Sequence, residues 1–302
     1  MAPTERTGDR YQKRAVSPAE IAHRIQVGDP EQAARLILAV SPCRSGTTIL
    51  LRVFSAVGIE SHYQQIKNIL RWRLQGGEMT WQVPQGSDQV AFLKETLGPY
   101  TEAESTLNPL EALLDAGFLP DRLHVLIVGR APLGTWASWD EWWGELTAVD
   151  KLILAYRSTE QVAQQAEREQ IARTTYVYEA LRDNPAEVVV GNCFARLGLP
   201  YAPIAVEGWH TLPPFEAPES RIRIPDEPPI FMKHVPNIHD PVMTATQLSY
   251  LPREASIADL AAEDIEALKK AGLPDVYEKW RKACEEDLKI QIKPDPKWDL
   301  VS

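Results

Sequence analysis

Cysteine is scarce in this sequence. The 302 residues include three cysteines, Cys43, Cys193 and Cys284, which lie far apart and form no CxxC pair. Zinc clusters and disulfide frameworks need closely patterned cysteines, so neither is expected. We expect three reduced thiols in a reducing compartment, and a functional site that needs no metal.

Long apolar runs are also absent. The apolar runs are short, such as residues 36–40 and 125–128, whereas a membrane-spanning helix needs about 20 apolar residues. The first 16 residues are polar and lack the apolar core of a secretory signal. The sequence therefore predicts a cytoplasmic protein with no membrane partner.

The chain lacks the excess of basic residues that duplex nucleic acids attract. It has 32 Lys and Arg against 42 Asp and Glu, a net charge of −10, which argues against a nucleic-acid partner. The charge is uneven, because residues 1–75 carry 11 basic and 6 acidic side chains. An anion site is therefore expected in the first quarter of the chain.

Short apolar segments predict the strands of a parallel sheet. Residues 35–40 and 125–128 are predicted to be buried on both faces, and residues 174–178 form a third candidate strand. Each segment is followed by a turn and a helical pattern. Strands that alternate with helices predict a three-layer α/β/α fold around a central, mostly parallel sheet.

The remaining segments define the expected domain organisation. Residues 1–30 are predicted to form an N-terminal arm, mobile over residues 1–16, and a short helix capped by Ser17. Residues 31–302 are predicted to form a single domain. Within it, the proline-rich residues 201–240 predict a long ordered loop or lid, and helices are expected near residues 256–272 and 274–290.

Residues 41–48 are the most informative segment. They connect a buried strand to a helix, and the backbone N–H groups of such a loop converge on anions. Gly46 permits close approach of the backbone to a ligand, Arg44 adds a forked cation, and Thr47 and Thr48 add hydroxyls. The segment predicts an anion site; the alternative is an ordinary turn whose Ser and Thr cap the helix.

This loop is not a Walker A loop, because the sequence lacks the first glycine and the lysine of G-x-x-x-x-G-K-S/T. Pro42-x-Arg44-Ser45-Gly46-Thr47-Thr48 instead resembles the 5′-phosphosulfate loop of sulfotransferases that use 3′-phosphoadenosine 5′-phosphosulfate (PAPS). Many of these enzymes read P-x-K/R-S-G-T-T. The resemblance implies that Arg44 contacts the bridging oxygen and the sulfuryl group, and that residues 45–48 hold the 5′-phosphate.

A second segment, residues 125–139, resembles the 3′-phosphate loop of the same family. That loop has a strand, an R-D-P sequence and a helix with a serine eight residues after the arginine. Arg130, Pro132 and Ser138 match in type and spacing, whereas Ala131 replaces the usual aspartate. The resemblance implies that Arg130 and Ser138 hold the 3′-phosphate. Because Ala131 replaces the aspartate, the resemblance does not indicate which residue stabilises the loop.

A third similarity covers residues 178–200, where Glu179 is expected to brace a loop or cap a helix. The resemblance as a whole covers roughly residues 35–200 and implies a P-loop NTPase-like sulfotransferase fold. The implied activity is transfer of a sulfuryl group from PAPS to a hydroxyl or amine of a small-molecule acceptor. The alternatives are a P-loop kinase-like phosphotransferase and a catalytically silent nucleotide-binding protein. The oligomeric state stays open.

The acceptor must lose a proton, so the site needs a base. Glu60 is the first candidate, since a subset of the family, including tyrosylprotein and several bacterial sulfotransferases, uses a glutamate shortly after the first helix. His62 lies two residues further on and suits a base near neutral pH. Glu95 is the third candidate. Acceptor contacts are expected from residues 60–110 and 201–240.

Other side chains have two interpretations each. Lys94 either faces the sulfuryl group or is a solvated lysine at a strand end, which we favour slightly. Trp136, Trp139 and Trp143 share one helix face, which favours core packing, whereas Trp142 is a candidate for the acceptor pocket. Four early cations attract an anionic acceptor or form a solvated helix face: Arg52, Lys67, Arg71 and Arg73.

Overall fold

The computed structural model describes residues 10–232, 240–250 and 257–294. Its centre is a six-stranded, all-parallel sheet in a three-layer α/β/α arrangement, as the sequence predicts. The strands are β1 (Ile25–Gln26), β2 (Arg35–Pro42), β3 (Glu60–Tyr63), β4 (Trp81–Gln82), β5 (Val90–Leu97), β6 (Leu123–Gly129), β7 (Ala172–Val177) and β8 (Ile222–Arg223). The sheet order is β7-β6-β2-β5-β3-β8, and β1 pairs with β4 in a separate ribbon.

Helices cover the sheet. They are α1 (Pro18–Ala22), α2 (Thr47–Ala56), α3 (Gln65–Leu74), α4 (Glu102–Ser105), α5 (Pro109–Asp115), α6 (Pro132–Trp143), α7 (Val149–Arg168), α8 (Ala180–Asp183), α9 (Ala186–Arg196), α10 (Pro229–Met232), α11 (Asp240–Met243), α12 (Ala262–Lys270) and α13 (Leu273–Leu288). No helix within the described ranges is long and apolar enough to cross a membrane.

The predicted strands are present: the first two are slightly longer than predicted, and the third spans residues 172–177 instead of 174–178. Residues 36–40 of β2 are fully buried, and residues 125–128 of β6 are at most 1% exposed. Strands that are apolar on both faces lie in the middle of a parallel sheet, because helices exclude water from both sides. The apolar runs therefore identified the centre of the sheet correctly.

The strand order creates a crevice beside β2. The strands β3 and β5, which follow β2 in the chain, lie on one side of it, and the later strands β6 and β7 lie on the other side. The loops after β2 and β6 therefore leave adjacent strands at the same edge. In open α/β sheets, ligands bind at the carboxyl ends of strands where the direction of winding reverses.

The prediction of a mobile arm over residues 1–16 is wrong for residues 10–16, and residues 1–9 lie outside the described part of the chain. Tyr11 is fully buried, and its ring stacks on Tyr100 with 4.7 Å between centroids. The Lys13 backbone N–H donates to Leu74 O at 3.0 Å. The buried Tyr11 ring and this backbone hydrogen bond both attach the polar segment to the rest of the protein. The predicted capping box of Ser17 is confirmed.

The proline-rich segment contributes more regular structure than the sequence indicated. Its described part, residues 201–232, contains single helical turns, and β8 pairs with β3 at the sheet edge. Two residues are too few to show the alternation of apolar and polar side chains, so the sequence did not predict β8. Residues 233–239 lie outside the described ranges. Of the C-terminal helices, α13 matches the predicted bounds closely, and α12 begins at Ala262 rather than near 256.

Candidate anion-binding site

The first predicted loop makes a tight turn between β2 and α2. Gly46 has φ +82°, and Arg44, although not a glycine, has φ +70°. A Cβ atom on Gly46 would lie 2.5 Å from the ring of Tyr178, so the position needs glycine for two reasons. A non-glycine residue held in the left-handed region costs energy, and such strain concentrates at functional sites.

The second predicted loop contacts the first directly. Arg130 follows β6, and its Nη1 donates to Arg44 O at 2.8 Å. Arg44 Nε donates to Ser138 Oγ at 2.9 Å, across to α6. Trp139 Nε1 also donates to Cys43 O at 2.8 Å. Two segments that are 86 residues apart in sequence therefore form one structural unit.

Glu179 braces the second loop, as the sequence favoured. Its Oε1 accepts the Ala131 backbone N–H at 3.0 Å, and the Tyr156 hydroxyl donates to Arg130 O at 2.6 Å. Burial raises the pKa of the Glu179 carboxyl. Ala131 itself has no side chain that can brace the loop, and the carboxylate for its N–H comes from the end of the neighbouring strand β7.

A cavity of about 690 Å³ opens over the carboxyl edge of the sheet. Five of the predicted ligand-binding residues line it: Arg44, Gly46, Thr47, Thr48 and Arg130. Ser45 and Ser138 are fully buried beside these residues. Ser138 reaches the site through Arg44, whereas Ser45 Oγ has no hydrogen-bond partner within the described residues.

Two of the three candidate bases face away from this cavity. Glu60 and His62 line a separate cavity of about 510 Å³, and His62 Nε2 lies 3.0 Å from Glu60 Oε1. Side chains alternate between the two faces of a strand. On β3 this alternation sends Glu60 and His62 to one side, whereas Tyr63 lines the larger cavity. The structure therefore places both of these candidate bases in a different cavity from Arg44.

Glu95, the third candidate base, is fully buried beneath α3. Its two oxygens accept the backbone N–H groups of Ile66 at 2.8 Å and Lys67 at 3.1 Å. Burial raises its pKa to about 7. The strand neighbours Lys94 and Thr96 line the cavity, and the alternation along β5 places Glu95 on the opposite face. Glu95 caps a helix instead of facing the site.

The same alternation corrects the interpretation of Lys94. The predicted solvated lysine is 2% exposed, and its Nζ lies 4.1 Å from the centroid of the Tyr63 ring. Burial lowers its pKa to about 7. Lys94 lines the cavity, so the interpretation of Lys94 as a solvated lysine is wrong.

Lys67 and Arg71 also line the cavity, on α3, and neither lies on a solvated face. Lys67 Nζ donates to Gly98 O. Arg71 Nε lies 2.7 Å from a Glu104 oxygen, and its Nη1 lies 2.9 Å from Glu227 Oε1. Glu227 belongs to the proline-rich segment, which thereby closes over the cavity. The sequence indicated this segment but gave no signal for Glu227 in particular.

The remaining cations and tryptophans have mostly structural roles. Arg52 donates to Pro213 O at 2.8 Å, and Arg73 pairs with Glu20 at 2.9 Å. The three tryptophans of the predicted core face are buried: Trp136, Trp139 and Trp143. Trp143 also lines the cavity. Trp142 lies beneath the Arg44 guanidinium, 5.5 Å from it, and does not line the cavity.

Comparisons of the chain with family models, with curated proteins and with solved structures gave no match. In the part of the chain that the structure describes, no group of three or more His, Cys, Asp or Glu residues is placed to hold a metal ion. The function of this chain is therefore inferred from the geometry of the site and from the residues that form it.

Proposed function

We propose that this protein transfers the sulfuryl group of PAPS to a hydroxyl or amine of a small-molecule acceptor. The observation that carries the proposal is the junction of the two loops, in which Arg130 donates to Arg44 O and Arg44 donates to Ser138. A nucleotide with phosphates at both its 5′ and 3′ positions needs two anion sites a short distance apart. A single strand-to-helix turn would not account for the second site.

The donor would occupy the part of the cavity above β2, β6 and β7. Residues 45–48 offer backbone N–H groups and the hydroxyls of Thr47 and Thr48 to the 5′-phosphate, at the N-terminus of α2. Arg130, which lines the cavity, supplies the contacts for the 3′-phosphate, and Ser138 acts through its hydrogen bond with Arg44. The ring of Tyr178 lies 5.1 Å from the Arg130 guanidinium and lines the same part of the cavity.

The proposed reaction is an in-line displacement at sulfur. The acceptor oxygen or nitrogen attacks the sulfur atom, the bond from sulfur to the bridging oxygen breaks, and its electron pair goes to the 5′-phosphate. Arg44 and the N–H groups of the first loop stabilise the charge that develops on the leaving nucleotide. The acceptor would lie over β5, β3 and β8, where the cavity continues along the edge of the sheet.

The first test is calorimetric titration with 3′-phosphoadenosine 5′-phosphate, the nucleotide product, beside ADP and ATP without magnesium. We expect selective binding of the 3′-phosphorylated nucleotide, weakened about 10- to 100-fold in Arg130→Ala because charge-assisted hydrogen bonds are lost. Arg157→Ala, on the exposed face of α7, is the matched control. Arg44→Ala should lose turnover by orders of magnitude while the variant stays folded.

Three other outcomes would overturn the proposal. Equal binding of ATP, or activity that needs magnesium and ATP, would favour a kinase-like phosphotransferase. Normal turnover in Arg44→Ala would remove the assigned role of the first loop. Tight binding of the 3′-phosphorylated nucleotide, with no transfer to any member of a broad acceptor panel, would indicate a silent nucleotide-binding protein.

A further inference from the structure

Lys94 occupies an unusual position for a lysine. It lies within β5, paired in register with Tyr63 of β3, and is 2% exposed. Its side chain lines the cavity in the part assigned to the acceptor, with Nζ 4.1 Å from the centroid of the Tyr63 ring. A buried ammonium is costly unless a carboxylate pairs with it.

The other two cations of this part of the cavity have carboxylate partners. Arg71 contacts Glu104 at 2.7 Å and Glu227 at 2.9 Å, and Lys67 Nζ lies 3.9 Å from Glu104. Lys94 has no carboxylate within 4.0 Å in the described part of the structure, and its contact there is the face of an aromatic ring. Among these three side chains, Lys94 is therefore the one that lacks a carboxylate partner.

Charged and titratable groups surround Lys94 on several elements, and one of them, Glu95, lies on the opposite face of the same strand. They are Cys43 after β2, Tyr63 on β3, Lys67 on α3, Glu95 on β5 and Glu227 on the proline-rich segment. Burial has the largest effect and lowers the pKa of Lys94 to about 7, and the positive charge of Lys67 lowers it further while the anions raise it. Near pH 7 a large fraction of the Lys94 side chains is therefore uncharged, and an uncharged amine is able to accept a proton.

We propose that Lys94 is the catalytic residue that takes the proton of the acceptor, and that the acceptor is a phenol. This inference rests on the proposed function. As the phenolic oxygen forms its bond to sulfur, the O–H proton moves to Lys94 Nζ. The bond between sulfur and the bridging oxygen breaks, and its electron pair leaves with the 5′-phosphate. The products are an aryl sulfate, the 3′,5′-bisphosphate nucleotide and a protonated Lys94, which returns its proton to water.

Two observations favour a phenol over an aliphatic alcohol. The acceptor part of the cavity has aromatic walls, formed by Tyr63, Tyr100, Trp143 and Phe231, and these rings stack well on another ring. A phenol also has an acidity near that of tyrosine, about 10. An amine of moderate basicity assists removal of such a proton far more effectively than removal of a proton from an aliphatic alcohol, which is about as weakly acidic as water.

Glu227 is an alternative proton acceptor in the same cavity. Its Oε1, however, is held by Arg71 at 2.9 Å, and this pair attaches the proline-rich segment to α3. Its geometry is that of a structural ion pair across the cavity. We therefore expect Glu227→Gln to weaken acceptor binding more than it lowers kcat.

The experiment has a labelling arm that needs no acceptor. The full-length protein, with 3′-phosphoadenosine 5′-phosphate bound, is acetylated with trace acetic anhydride over a range of pH, and each lysine is quantified by peptide mass spectrometry. We expect Lys94 to become reactive with a midpoint near pH 7, well below that of the exposed Lys282. A midpoint equal to that of Lys282 would overturn the assignment of Lys94 as a base.

The activity arm uses PAPS with 4-methylphenol, whose hydroxyl is about as weakly acidic as that of tyrosine, and, for comparison, cyclohexanol. We expect Lys94→Met and Lys94→Arg each to lower kcat at least about 100-fold, because arginine keeps the charge but does not accept a proton. The kcat of the wild-type protein should rise with pH through about 7, since the neutral form of Lys94 is the active one. Lys282→Met, whose side chain is 65% exposed, is the control.

The two proposals fail in distinguishable ways. Loss of selective binding of the 3′-phosphorylated nucleotide would remove the proposed function itself. Intact nucleotide binding with near-normal kcat in Lys94→Arg would leave that function standing and show that Lys94 supplies only charge. Turnover of cyclohexanol in preference to 4-methylphenol would overturn the phenol assignment.

Discussion

Two glycines with the same backbone conformation show what single positions contribute. Gly46 and Gly58 have φ of +82° and +85°. A Cβ on Gly46 would lie 2.5 Å from the Tyr178 ring, whereas a Cβ on Gly58 would have nothing within 4 Å. Both positions favour glycine because of their positive φ. Only Gly46 also lacks space for a Cβ atom, because the Tyr178 ring, which follows β7, packs against the first loop.

This pair gives a prediction at the residue scale. Gly58→Ala should cost about 1–2 kcal/mol of unfolding free energy, because alanine is disfavoured at positive φ. Gly46→Ala should cost a further 1–3 kcal/mol, roughly the range for overpacking. Urea unfolding of both variants measures the difference. The excess cost of Gly46→Ala should shrink in a Tyr178→Ala background, and an equal cost at the two glycines would contradict the tight packing of the loop.

At the scale of elements, alternation along two short strands decides which side chains reach the site. On β3 and β5 the sequence offers Glu60, His62, Lys94 and Glu95 within a few residues of the sheet edge. Of these four, only Lys94 lines the cavity of Arg44. The chemistry of each residue type was visible in the sequence, but the face on which each side chain lies was not.

Glu95 provides the test at this scale. Glu95→Ala should cost about 2–4 kcal/mol of stability, because two buried N–H groups at the start of α3 lose their acceptor, while Glu95→Gln should cost less and keep turnover. The raised pKa of Glu95, about 7, means that its contribution to stability is full below its ordinary pKa and is lost as the pH rises towards 7.

Chemical denaturation at several pH values, together with a sulfuryl-transfer assay, measures both effects. Glu111→Ala, at an exposed position of α5, is the control. Loss of turnover in Glu95→Gln without any loss of stability would restore Glu95 as the base and contradict its role as a helix cap.

At the scale of the whole molecule, a segment far from the loops in sequence completes the cavity. Tyr11 packs on Tyr100 and Phe231, with ring centroids 4.7 and 5.2 Å away, and both of these rings line the cavity. The N-terminal segment therefore supports the aromatic wall from behind. Arg71 supports the same wall, since its guanidinium lies 4.7 Å from the Phe231 ring centroid.

Tyr11→Ala should destabilise the protein by about 3–5 kcal/mol, the usual cost of truncating a buried aromatic side chain. Differential unfolding in urea measures this loss, and Tyr201→Ala, at a position that is 39% exposed, should change stability by less than about 0.5 kcal/mol. If residues 10–16 did not pack in solution, the two variants would be equally stable.

The sequence by itself determined the α/β class, the centre of the sheet and the two loops that meet at the site. These features are local, because strand burial, helix starts and the Arg, Ser, Gly and Thr residues of a loop are encoded within a few consecutive residues. The bracing role of Glu179 was also predictable, because Glu179 closely follows a predicted strand. The loop contact between Arg44 and Arg130 then followed from strand order.

Only the tertiary structure decided which charged groups share the cavity. Lys94 and Glu95 are adjacent in sequence and lie on opposite faces of one strand, and Glu227 reaches Arg71 across 156 residues of chain. Tyr11 lies in a polar segment that carries no periodic signal. These placements depend on register, on burial and on contacts distant in sequence. No local pattern records them, because the free energy that fixes each one comes from residues elsewhere in the chain.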